Sequence, residues 1–112
     1  MIKDLIYKNR SYRRFHQDAA IDMATLSELV DLAAHSASAA NRQPLKYILS
    51  CDVQTNARIF ETLGWAGYLP DWPGPEEGER PGGYVVIMGD KDVAPQFSVD
   101  HGIAYQLSLI HI

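Results

Sequence analysis

The chain has 112 residues, room for one domain around one core, and its 46% apolar and 21% charged content is that of a globular rather than a disordered protein. A net charge of −4 and a pI near 5.4 speak against general nucleic-acid binding, which calls for a net basic surface. The single Cys51 excludes an internal disulfide and any multi-thiol metal site, and four histidines without paired spacing imply no metal.

Met1-Ile2-Lys3-Asp4 opens the chain without an apolar leader core, and no apolar run is long enough to span a bilayer. The expected location is cytoplasmic, with no membrane partner. Ile2, Leu5 and Ile6 recur at helical spacing and predict a short amphipathic helix over 2–9. It leads into Arg10-Ser11-Tyr12-Arg13-Arg14-Phe15, three guanidinium groups and a hydroxyl within six residues of an acidic chain. Planar, permanently charged forks suit the oxygens of a phosphate, and a serine adds a short hydroxyl bond. A solvated helix end would use the same residues against terminal carbonyls, and the six residues alone do not separate the two. Phe15 is expected to pack inward; His16, without a partner in sequence, reads as structural or solvated.

Asp22 is a plausible N-cap, and Leu26, Leu29, Val30 and Ala33 predict a helix over 24–36. The helix gives way to Ser36-Ala37-Ser38-Ala39-Ala40 and must be over by Asn41-Arg42-Gln43-Pro44, because proline biases the residue before it away from helical geometry. Small residues let a flat ligand approach the backbone, and Asn41 both donates and accepts. An ordinary polar turn is the alternative. Leu45–Cys51 predicts a strand with Leu45, Tyr47, Leu49 and Cys51 on one face, and Cys51 reads as a small buried hydrophobe. Residues 55–63 predict a second helix with Ile59, Phe60 and Leu63 as its stripe.

Between Gly64 and Gly83 lie six of the eight glycines, four of the six prolines and both tryptophans. Trp65, Tyr68 and Trp72 need a surface to cover, so the segment reads as a lid or interface flap, or else as a loop pinned by its aromatics to its own core. Tyr84–Met88, apolar without alternation, predicts a central strand covered on both faces. Gly89-Asp90-Lys91-Asp92 turns the chain, and a helix starts near Ser98 with Val99, Ile103 and Ala104 inward. Adjacent helical residues do not face each other, so Asp100-His101 reads as an exposed or interface pair. The last six residues, Leu107-Ser108-Leu109-Ile110-His111-Ile112, are what the library adaptor CTG TCT CTT ATA CAC ATC encodes. The expectation is that natural sequence ends near Gln106 and that 107–112 is an adaptor-derived tail.

Arg10-Ser11-Tyr12-Arg13-Arg14-Phe15, followed at matching spacing by Ser38-Ala39-Ala40-Asn41-Arg42-Gln43-Pro44, resembles the two N-terminal signatures of the FMN-dependent nitroreductase superfamily. Gly64-Trp65-Ala66-Gly67-Tyr68, Asp71–Pro75, Gly78–Pro81 and Asp100–Ala104 resemble a small-protein branch of it. The resemblance covers residues 1–106, read as the N-terminal portion of a single domain. It implies an α+β fold, a central mostly antiparallel sheet wrapped by helices and incomplete at the C-terminus, forming a homodimer with FMN at the subunit interface. It further implies an oxidoreductase that takes electrons from NADH or NADPH and passes them through the flavin to a nitroaromatic, quinone-like or similar small-molecule acceptor. By this resemblance Arg10 and Ser11 hold the flavin phosphate, Arg13 sits at the N1/O2 edge of the ring, and Ser38 and Asn41 meet the ring. No residue is cast as a proton-transfer catalyst, since the flavin carries the chemistry. Asn9, Ala37 and Leu45 depart from the pattern. The alternatives are a flavin or nucleotide module without turnover, an anion-binding interaction protein, and an inactive fragment of the enzyme.

Overall fold

The computed structural model describes residues 1–110. Its elements, in order, are α1 (Ile2–Lys8), α2 (Met23–Ala34), a 3-10 turn (Ala39–Asn41), β1 (Leu45–Ser50), α3 (Val53–Phe60), β2 (Tyr84–Gly89) and α4 (Asp100–Ile110). Two aspartates set where helices begin. Thr25 N–H donates to Asp22 at 2.8 Å to cap α2, and Thr55 donates both N–H and hydroxyl to Asp52 at 2.8 Å to cap α3.

β1 and β2 pair antiparallel, with Leu45 opposite Gly89 and Ser50 opposite Tyr84. Along β1 the half-buried Leu45, Tyr47 and Leu49 alternate with exposed Lys46 and Ile48, the period-two pattern expected of a strand with one covered face. α2 packs against β1 and α4, and α4 also meets β2. The most buried residues of the two helices are Leu26, Ala33, Asp100 and Ala104, and the small side chains of the two alanines allow close approach. Past the end of β2, the Phe97 ring lies where a Cβ on Gly89 would be.

A second nucleus forms around α3. Trp65 packs on Phe60 (centroids 5.6 Å apart) and meets Trp72 edge-on at 6.5 Å, while Gly74, at φ +108°, leaves room for the Trp65 indole. The flap therefore covers α3 with its tryptophans, while Tyr68 and Leu69 project into solvent. Of the two readings of this segment, the loop pinned to its own core is the one the tryptophan packing matches.

Several expectations need correction. β2 is not covered on both faces: Val85, Val86 and Met88 are all exposed, and among the described residues β1 is its only neighbouring strand. α4 begins at Asp100 rather than Ser98, and Val99 and Ile103 face outward, at 63% and 42% exposure; of the three residues expected inward, Ala104 alone is buried. Asp100 is 3% exposed, not a surface residue. α3 starts at Val53, earlier than expected, because Asp52 caps it. Leu107–Ile110 continue α4 without a break, while His111 and Ile112 lie outside the described residues. Among those described, no helix is long and apolar enough to cross a membrane, and no three His, Cys, Asp or Glu gather as a metal site.

Candidate functional site

The segment between α1 and α2 carries the arginine cluster past the C-terminal half of α4. Arg10, Ser11 and Arg13, with Lys8, line a cleft of about 780 Å³ opposite Tyr105 and Leu109. The three arginines have different fates. Arg14 donates from Nε to Glu79 Oε2 at 2.9 Å and from Nη2 to Oε1, a two-pronged pair that raises the Arg14 pKa and holds the Glu79 carboxyl below its ordinary value. Backbone bonds from Phe15 N–H to Glu79 O (2.9 Å) and Gln17 N–H to Gly78 O (3.3 Å) fix the exit of the cluster. Arg14 is thereby committed to the fold.

Arg10 and Arg13 are not. Arg10 Nη1 reaches the neighbouring carbonyl of Asn9 (2.8 Å) and Arg13 Nη1 that of Tyr12 (3.5 Å). Among the described residues neither has a carboxylate partner, and both are exposed. Two uncompensated guanidinium groups, the Lys8 ammonium and the Ser11 hydroxyl thus border a hollow within the roughly 300–1,000 Å³ of small-molecule sites. An apolar cavity of about 520 Å³ opens next to it between α2, the sheet and α4, walled by Leu26, Val30, Tyr47 and Val85. Phe15, Tyr105 and Leu109 border both hollows. A ligand with an anionic end and a flat apolar end has matching surfaces in these adjoining spaces.

Ser38 and Asn41 do not line the arginine cleft. Ser38 borders a separate hollow of about 210 Å³ with Gln43 and Tyr47. Their loop is strained: Ala40, Asn41 and Gln43 all have φ +52°, a left-handed conformation that costs a non-glycine residue roughly 1–2 kcal/mol. Inside it, Gln43 N–H donates to Ser38 Oγ (3.1 Å) and Gln43 Nε2 to Asn41 Oδ1 (3.0 Å). At its end Pro44 is buried, and its carbonyl accepts from Asp90 N–H at 2.7 Å. Near its start, Ala39 N–H donates to Asp100 Oδ1 at 3.1 Å. The structure thus brings Arg10, Ser11 and Arg13 together and keeps Ser38 and Asn41 apart from them within one chain. The contact from Asp100 is the part sequence reasoning missed; an acid at the first position of a helix was the available signal, and the partner sixty-one positions away was not.

A sequence profile of the Nitroreductase family matches residues 6–67. No curated protein matches. Solved structures similar to this chain include a protein from Parabacteroides distasonis described as an NADH dehydrogenase/NAD(P)H nitroreductase, 19% identical with a TM-score of 0.73, covering 97% of this chain and 60% of that one. A nitroreductase family protein from Clostridium novyi is 21% identical, TM-score 0.72, covering 98% and 62%. A protein from Desulfovibrio desulfuricans described as a nitroreductase, solved in complex with FMN, is 17% identical, TM-score 0.71, covering 97% and 60%. At these identities the likeness is one of fold, and the chain spans about 60% of the length of these structures.

Proposed function

The chain belongs to the nitroreductase family, and on that footing we propose that it serves a flavin-dependent oxidoreductase, moving electrons from NADH or NADPH to an electron-poor small molecule such as a nitroaromatic or quinone. The observation that carries this reading is the pair of uncompensated guanidinium groups, Arg10 and Arg13, beside Ser11 in a cleft that adjoins an apolar cavity. FMN has the matching chemistry, a phosphate at one end and a flat ring at the other. In this reading Arg10 and Ser11 hold the phosphate by charge-assisted bonds. Arg13 offers a fixed cation to the N1/O2 edge of the ring, where negative charge develops on reduction. Ser38 and Asn41 meet the ring. The redox chemistry belongs to the flavin, and these residues supply position and field.

Within one chain the Ser38–Asn41 loop stands apart from the arginine cleft, which favours a flavin site assembled from two copies, a homodimer. The same separation supports the second reading, a single chain that holds the phosphate end without turnover. Titrating FMN into the protein separates the outcomes. The expected result is a visible-band shift and fluorescence quenching at one FMN per chain, weakened about tenfold, or about 1.4 kcal/mol, by Arg10→Ala and by Arg13→Ala. Oxidation of NADH or NADPH with a nitroaromatic or quinone acceptor then distinguishes enzyme from module. A protein whose FMN spectrum never changes would overturn both.

A further inference from the structure

We propose that Asp100 is a positioning residue: from the first turn of α4, its carboxylate holds the Ser38–Gln43 loop in its ligand-reading shape. Among the described residues, the bond from Ala39 N–H to Asp100 Oδ1 (3.1 Å) is the only hydrogen bond joining residues 37–43 to a distant part of the chain. Every other bond made by this loop turns back on itself. Three left-handed non-glycine residues work against this conformation, and the loop's internal bonds move with it, so Asp100 is what ties its shape to the rest of the fold.

Asp100 is suited to the task. It is 3% exposed and forms no ion pair among the described residues, and a buried carboxylate is costly unless hydrogen-bonded. Its compensation comes from the amide of Ala39 and from the positive end of α4, whose first turn it occupies. Its own position is fixed from behind. Asp100 N–H donates to Phe97 O at 2.9 Å, the Phe97 ring lies against Gly89 at the end of β2, and Ser98 between them is itself left-handed at φ +46°. The sheet thus locates Phe97, Phe97 locates Asp100, and Asp100 locates the loop.

The inference rests on the flavin reading only for the identity of the ligand, so the test has two readouts. The first is amide hydrogen exchange of the protein without added ligand. In Asp100→Ala, amides of residues 38–43 should exchange about tenfold faster while those of β1 keep their wild-type rates. The second is FMN affinity with the absorption spectrum of the bound flavin. Asp100→Ala should weaken binding about tenfold and shift the band, and Asp100→Asn, whose amide oxygen can accept the same bond, should restore both to within about twofold. Ala39→Pro approaches from the other side without touching α4. It deletes the donor at a first helical position, where proline is tolerated, and Ser38 before it is already extended. Its loss of FMN affinity should match that of Asp100→Ala, and the two together should lose no more than either alone. Wild-type exchange and affinity in Asp100→Ala, or losses that multiply in the double variant, would overturn the proposal. Faster loop exchange in Asp100→Ala, in a protein that takes up no FMN, would sustain the positioning role and overturn the flavin reading instead.

Discussion

Arg10, Arg13 and Arg14 stand within five positions of one another and are indistinguishable by composition, yet Glu79 captures only Arg14. The selection comes from the backbone pairing of Phe15 and Gln17 with residues 78 and 79, a contact across more than sixty positions that no local pattern announces. The cluster was therefore legible as a concentration of cations, and its division into structural and available ones was not. The capping aspartates were half legible: Asp22 stood before an evident apolar stripe, while Asp52 was hidden behind the end of a strand. Hydrogen bonds from Thr25 and Thr55 depress the pKa values of Asp22 and Asp52 below the ordinary range. A depressed carboxyl contributes stability above its unfolded pKa of about 3.9 and loses it as pH falls through the folded value. The Asp22→Asn, Asp52→Asn variant keeps both acceptors and removes both titrations. Its urea midpoint should fall less steeply than that of wild type as pH drops below about 4.

All four helices and both strands of the described residues were legible as elements, since period and caps are local. Which face of an element would be covered was not. Val99, Ile103 and Ala104 all read as inward, but α4 turns Ala104 toward the core and leaves the other two in solvent. β2 read as doubly covered because its run is continuous, yet Val85, Val86 and Met88 are exposed. The flap's tryptophans do need a surface, and α3, built from the residues just before them, supplies it. At the end of β2 the sheet depends on one missing side chain. A Cβ on Gly89 would overlap the Phe97 ring, so Gly89→Ala should cost about 1–3 kcal/mol by overpacking, measurable by chemical denaturation. It should also loosen the loop that Asp100 holds, which hydrogen exchange at residues 38–43 would show.

The chain exposes 8408 Å² to solvent, where a folded protein of 12.5 kDa exposes about 6,200 Å². Its Cα radius of gyration is 15.3 Å against about 13 Å for this length. The extra area is apolar in good part: Ile2, Leu5, Ile6 and Tyr7 on α1, Val99, Ile103 and Tyr105 at α4, and the outer positions of β2. The excess of about 2,200 Å² per chain, about 4,400 Å² for a pair, falls in the range of obligate homodimer interfaces rather than of standard-size ones, consistent with the homodimer proposed above. The thermal midpoint should then rise with protein concentration, and sedimentation should give a species of twice the chain mass. A midpoint independent of concentration would show that this surface stays wet.

Phe15, Tyr105 and Leu109 form a party wall between the cationic hollow and the apolar one. Tuning one room for a bulkier guest therefore remodels the other, so anion grip and ring preference should drift together in any mutagenesis campaign that alters these three side chains.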